Sequence, residues 1–331
     1  MKTNMKKLLI LSAMCMAMTA QATVLRVSNV TNSGAPYTTI PAAIEAAVDG
    51  DTIMVDGSPD KYSEATGTTG SLNINVRVVL MGPGYLLTQN GVQSNGDLTA
   101  EISRAIKISE GGAGTIIQGL NLSSASALDI QVPNVVITRC KVDCDLSIAT
   151  GATNCVLHQN LFTGFVGRSN YTTYVAYNAQ VTNNIFMHVN NNSSGILRGF
   201  NESTIAYNTF TKAKDSGSGG NSVLLSQMTG CTIEHNVLFS TEQTLDNNTM
   251  ADNYWGGNES PYQDCTTDLE VRDANTGGIG NELMGRGAFN GDDPYVISGI
   301  PAGPVIQDIT VPATVEQGGT LNVTVKLGIQ R

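Results

Sequence analysis

Leu157-His-Gln-Asn-Leu-Phe162, Val181-Thr-Asn-Asn-Ile-Phe186, Ile205-Ala-Tyr-Asn-Thr-Phe210 and Ile233-Glu-His-Asn-Val-Leu238 are four copies of one phrase. Each has an aliphatic residue, two variable residues, Asn, one variable residue and a large apolar residue. A fifth copy, Met250-Ala-Asp-Asn-Tyr-Trp255, places the asparagines at 160, 184, 208, 236 and 253, in steps of 24, 24, 28 and 17 residues. Copies without Asn reach back through Ile137–Val142 and Ile117–Leu122, one 20-residue step apart. A unit of this length, repeated with variable insertions, is the signature of a solenoid.

Working outward, short apolar segments alternate with Gly, Asn and Ser turns from Ser71 onward, with almost no helical period. Three strands per repeat, one turn short and another variable, predict a right-handed parallel β-helix, an all-β solenoid. Coils stacked about 4.8 Å apart set equivalent side chains on one another. The aliphatic residue and the Phe, Leu or Trp then point inward. Asn160, Asn184, Asn208, Asn236 and Asn253 occupy a bend, where Asn tolerates left-handed backbone and its amide reaches the next coil. The asparagine ladder is a structural expectation.

Upstream, Val24–Val30 alternates as a strand. Ile40, Ala43, Ile44, Ala47 and Val48 form one apolar helical stripe. Pro41 suits the first turn and Asp49-Gly50 the stop, which predicts a short capping helix over the end of the solenoid. Asp51–Val55 is the expected first coil strand. Asp49-Gly50-Asp51 lacks the further spaced carboxylates of a calcium loop and reads as a turn.

Lys2, Lys6 and Lys7, the apolar run Leu8–Met18 and an Ala-Gln-Ala ending at Ala22 predict a signal peptide over residues 1–22 and an exported chain. Met14 is a poor residue before Cys15 for a lipoprotein, so cleavage after Ala22 is expected. The destination is extracellular, cell-surface or periplasmic, and no later stretch suits a membrane span. Residues 23–300 form the β-helix domain, and 301–331 a linker and C-terminal β-hairpin. Lys+Arg number 18 and Asp+Glu 28; without the three leader lysines the balance is 15 against 28, or −13. So acidic a surface argues against nucleic acid and anionic lipid. The mature chain keeps Cys140, Cys144, Cys155, Cys231 and Cys265, an odd number. Cys140, Cys144, Cys155 and His158 form a zinc set on paper, yet Cys140 sits where other coils carry Asn. Buried solenoid positions are the expectation, with no metal.

The opening Thr38–Val55, the asparagine ladder and the closing Asp252-Asn-Tyr-Trp-Gly-Gly-Asn-Glu-Ser-Pro261 resemble the right-handed β-helix proteins of the pectin-lyase-like superfamily. The closing phrase is similar to an N-W-W-G…P ending of secreted bacterial members. The resemblance covers roughly residues 24–290 and implies the fold; lyases, hydrolases, epimerases and adhesins all share it. Polygalacturonase-type hydrolases carry an Asp-Asp pair, Gly-His-Gly and Arg-Ile-Lys on neighbouring coils. Here the sole Asp-Asp is Asp292-Asp293, followed by Pro294, and the other two motifs are missing. A lyase of the superfamily needs an Arg or Lys base, with Ca²⁺ or another cation at the substrate carboxylate. Alternation around Ile106–Ile108, Leu128–Ile130, Leu146–Ile148, Val175 and the following coil puts Lys107, Asp129, Asp145, Tyr174 and Arg198 on one outward face. Under the lyase alternative Lys107 or Arg198 is the base and Asp129 and Asp145 flank the cation; Ca²⁺ enters only there. Tyr171, Tyr174, Tyr177 and Tyr207 are candidates for stacking on sugar rings. Two strands over Val305–Arg331, joined by a turn at Glu316-Gln-Gly-Gly319, resemble the first hairpin of a bacterial immunoglobulin-like domain and are expected to cap the last coil or dock a partner. The function expected is a non-catalytic surface or secreted protein that binds glycan or takes part in adhesion. A polysaccharide lyase and a purely structural protein are the alternatives.

Overall fold

The computed structural model describes residues 22–330, apart from 68–69, 92–97, 124–126, 168–173, 188–195, 212–223, 258–259, 263, 277–282, 313, 315–317 and 319. The leader, Cys15, Tyr171, His188 and most of the turn at 316–319 lie outside the described residues.

The chain is an all-β parallel solenoid. Sheet 1 has ten parallel strands, from Val24–Val27 to Thr249–Ala251. Sheet 2 has eight, from Glu101–Ile102 to Tyr254–Trp255. Sheet 3 is four strands from Leu72–Ile74 to Leu146–Ile148, then three from Ala176–Tyr177 to Leu225–Thr229. The two parts are joined by bridges from Val166 to Leu146 and Leu197. The register never slips between neighbouring phrases: Leu157 pairs Val181, Ile205 pairs Ile233, and Phe162, Phe186 and Phe210 align. All of these are buried. Phe186 stacks on Phe162 at 5.1 Å and on Phe210 at 4.4 Å between ring centroids.

The ladder forms at the bend between sheets 1 and 2. Asn208 Oδ1 accepts from the backbone N–H and the Nδ2 of Asn184, both at 3.0 Å. Its own Nδ2 donates to Val181 O and to Asn236 Oδ1. The pattern runs from Cys140, whose N–H donates to Asn160 Oδ1, through to Asn253. The ladder asparagines do not carry the left-handed backbone expected of them. The residue before each one does: Gln159, Asn183, Tyr207, His235 and Asp252 have φ between 51° and 57°. One left-handed residue turns the chain through the bend and points away from the core. The Asn that follows is thereby free to aim its amide along the stack.

Helix α1 (Ile40–Ala46) has Thr39 as N-cap and Pro41 in its first turn, and buries Ile40, Ala43 and Ile44 over the first coils. It ends two residues earlier than the apolar stripe. Ala47 is extended and Val48 is 57% exposed, because the Val48 N–H donates to Asp51 Oδ2 in the turn that starts the next strand.

After the last coil the chain turns back on itself. Helix α2 (Asp268–Ala274) opens with a capping box between Thr267 and Glu270. Residues 283–301 then run along the left-handed bend from the last coil toward the first. Contacts fall on successive coils: Arg286 with Asp252, Gly287 N–H to His235 O, Ala288 N–H to Thr209 Oγ1, Asn183 Nδ2 to Asn290 O, Gln159 Nε2 to Pro294 O, Arg139 Nη1 to Ile300 O, and Tyr85 N–H to Ser298 O. The hairpin Gly303–Thr310 with Thr324–Gln330 is antiparallel and includes Pro304 in its first strand, where a linker was expected. Its root is not at the last coil. Pro301 packs against Gly119, in the N-terminal half of the solenoid, since residues 283–301 have already carried the chain back there.

Candidate functional site

Parallel register assembles the outer face of sheet 3. Asn73, Lys107, Asp129 and Ser147 are consecutive partners, with Leu72, Ile106, Leu128 and Leu146 inward. The bridge from Val166 to Leu197 carries the same row on to Arg198, which pairs with Ser226. Lys107 and Asp129 are therefore neighbours, as alternation predicts. Asp129 accepts from Gln131 Nε2 at 2.8 Å and from Ser147 Oγ at 3.2 Å. Asp145 lies outside the row, exposed at the turn before the strand, where its Oδ1 accepts the Phe165 N–H at 3.0 Å.

Arg198 keeps the outward register, with Leu197 inward, but is only 9% exposed. Its Nε donates to Gly167 O at 3.2 Å and its guanidinium carbon stands 5.3 Å from the centre of the Phe165 ring. Gly167, at φ 93°, is what admits this: a Cβ there would sit 1.8 Å from Arg198 O. In the coil of Tyr174 the inward residue is Ala176, at 2% exposure, and Val175 is half-buried. Tyr174 is consequently one step from the expected position, and Tyr177 takes the outward place opposite Asn201 and Thr229.

The two strands that follow are kinked. Arg198 pairs Ser226 and Phe200 pairs Met228, but Gly199 and Gln227 between them are left-handed, at φ 75° and 58°. Facing bulges on two coils push the outer face open, and a cleft of about 410 Å³ forms there. Tyr177, Asn201, Gln227 and Thr229 line its floor and Thr244, Leu245 and Asp246 its wall. The wall is fixed from both sides. Gln243 Oε1 accepts the N–H groups of Leu224 and Leu225, while Asn248 accepts from Cys231 N–H and donates to Met228 O. Gln227 in left-handed backbone stores strain of about 1–3 kcal/mol, a feature that clusters at binding sites. Amides, hydroxyls, one tyrosine and one carboxylate make a surface suited to hydroxyl-rich ligands.

No family model, curated protein or solved structure matches this chain.

Among the described residues no group of three or more His, Cys, Asp and Glu is placed to hold a metal ion. Cys140, Cys144, Cys155, Cys231 and Cys265 are all buried. Cys140 and Cys231 point their thiols at backbone carbonyls of the neighbouring coil, as core residues do. Burial pushes the Cys140 thiol up to about 12 and the Cys155 thiol up to about 11. Tyr207 is no sugar platform: it stacks on His235 at 4.8 Å beneath Gly291 of the returning segment.

The bulge is what sequence reasoning missed. Gly199 in Leu197-Arg-Gly-Phe-Asn201 was its one visible trace. Helix α2 had a clearer signal, the capping box Thr267-Asp-Leu-Glu270.

Proposed function

We propose that this is an exported or surface-attached, non-catalytic β-helix protein that holds glycan along the outer face of sheet 3. The observation that carries this reading is the cleft on that face, with Tyr177, Asn201, Gln227 and Thr229 on its floor, on the same sheet as the outward Lys107 and Asp129. Repeated polar groups about 4.8 Å apart suit a polymer of hydroxylated units, and a tyrosine ring offers an apolar face to a pyranose. Asp246 and the acidic chain favour uncharged sugar over polyuronate. The leader supports export, and the likeness to the pectin-lyase-like superfamily supports a carbohydrate ligand.

The lyase reading keeps one supporting observation, Lys107 beside Asp129. Its other parts do not converge, since Arg198 is engaged with Gly167 and Phe165 and Asp145 with a turn. Retention of the mature protein on a glycan array, lost in Tyr177→Ala and Asn201→Ala, is the expected result. No retention on any glycan would refute the proposal. A Ca²⁺-dependent rise in the ultraviolet absorbance of unsaturated product, abolished in Lys107→Ala, would establish the lyase instead.

A further inference from the structure

The outer face of sheet 2 changes character along the stack. Its outward positions are in register through Glu101, Asn121, Lys141, Leu161, Ile185, Thr209, Val237 and Tyr254. Leu161, Ile185 and Val237 are buried under the returning segment, in a second core with Tyr262, Val271, Leu283 and Tyr295. The first three positions are instead polar, and they floor a separate cleft of about 380 Å³ between the 58–61 and 86–89 turns.

Both walls are held in place. Ser58 N–H donates to Thr99 O, and Tyr62, 1% exposed, donates its N–H to Glu101 O at 2.8 Å. The opposite turn is fixed by Tyr85, whose hydroxyl bonds that of Tyr295, and by Asn90, whose Nδ2 donates to the buried Asp268 at 2.7 Å. Such a cleft is preformed, which spares a ligand the cost of ordering it.

The lining charges are two ammoniums, Lys61 and Lys141, and two carboxylates, Asp60 and Glu101. Lys61 Nζ lies 2.7 Å from Glu101 Oε1, and Lys141 bonds Asp143. Burial pushes the Glu101 carboxyl up, but hydrogen bonds from Lys61 and Ser123 and the charges of Lys61 and Lys141 bring it below its ordinary value. On the same floor Asn121 Oδ1 is closed off from solvent with no hydrogen-bond partner among the described residues. Each ammonium has three donors, so both lysines keep capacity beyond their present partners.

A simple anion entering here meets Glu101 and Asp60, and a simple cation meets Lys61 and Lys141. A molecule of zero net charge with its charges separated meets neither penalty. We propose that this cleft binds a small zwitterion carrying one carboxylate and one ammonium, of the free α-amino acid class. Its carboxylate is taken by Lys61 and Lys141, and its ammonium by Glu101 and Asp60. The site lies on a different sheet from the glycan face and does not depend on it.

The test is saturation-transfer NMR and calorimetry on the mature chain with a set of L-amino acids, against acetate, methylammonium and glucose. Binding of at least one amino acid is expected, with the three controls at least about tenfold weaker, a difference of about 1.4 kcal/mol. Lys141→Met should abolish it. Lys61→Met, at a largely exposed position, should weaken it while leaving thermal unfolding unchanged. Absence of binding by every amino acid, equal binding of acetate or methylammonium, or full binding by folded Lys61→Met and Lys141→Met would each overturn the proposal.

Discussion

Removing one amide from the middle of the ladder should cost more than any surface change on this molecule. Asn208→Ala strips the acceptor from two buried donors, the Asn184 N–H and one hydrogen of Asn184 Nδ2. It also takes a donor from the Val181 carbonyl. Asn184 and Asn208 have no solvent exposure, so water cannot replace the lost bonds without opening the coil. At about 1–3 kcal/mol for each buried group left unsatisfied, two to three such groups give a loss of about 2–9 kcal/mol. That is a large share of the ~5–15 kcal/mol that ordinarily holds a domain folded. Asn253→Ala, on the last rung, is the internal control. Asn253 makes the same bonds to Asn236 and to Ile233 O, but it is only half-buried. Solvent should then limit its loss to about 1–2 kcal/mol. Urea unfolding followed by circular dichroism and by tryptophan fluorescence measures both, provided the two probes give coincident transitions. A loss below about 1 kcal/mol for Asn208→Ala, or equal losses for the two variants, would refute the reasoning that burial sets the strength of the ladder.

Three further outcomes are expected. Gly299→Ala, at φ 56°, would place a Cβ 2.2 Å from Arg139 O and 2.4 Å from Tyr85 Cε1. It should lift the end of the returning segment at a cost of about 1–3 kcal/mol in backbone strain alone, and limited proteolysis should then cut within 283–301; unchanged protection would show that this end is not a fastening point. The thiols of Cys140, Cys144 and Cys155, pushed up by burial to about 12, 12 and 11, should resist a disulfide reagent at mildly alkaline pH until urea is added; fast labelling of the native protein would contradict their burial. Hydrogen bonds from the Val48 N–H and then the Thr23 N–H hold the Asp51 carboxyl below its ordinary value, against a smaller opposing effect of burial. A depressed carboxylate stabilises the fold above its unfolded pKa of about 3.9 and loses that contribution as the pH falls through the lower folded value. The stability gap between parent and Asp51→Asn should accordingly be constant near neutrality and close in acid, and a gap that persists at the lowest pH would be inconsistent with that linkage.

The phrase around each Asn determined a good deal by itself. Its spacing specified stacked coils, and its alternation put Leu157, Val181, Ile205 and Ile233 in one inward column and Phe162, Phe186 and Phe210 in another. Both are local properties: period two fixes the face, and a repeat fixes the neighbour. The same logic placed Lys107 beside Asp129 correctly. It failed for Tyr174, because that coil takes ten steps from Val166 to Ala176 where the next takes three from Leu197 to Phe200, and alternation has no signal for such an insertion. It also misplaced the left-handed residue of the bend. Asn is the residue type that best tolerates that backbone, yet the ladder needs its amide for the stack, and the preceding residue takes the strain instead.

What only the tertiary structure decided lies in the non-repeating chain. Nothing between Trp255 and Pro301 carries a period, so its path back over sheet 2 was invisible, although Leu161, Ile185 and Val237 are apolar at outward positions and required a cover. Arg198 has the right register for a groove and the wrong environment, because Phe165 and Gly167 come from a different coil to enclose it. The position of the hairpin follows from the same return path. Stacking is dictated by each residue and its neighbour one repeat away, and a sequence records that directly. Clefts and covers depend on which distant segment arrives at a face, and that is settled only when the burial of the whole chain is satisfied together.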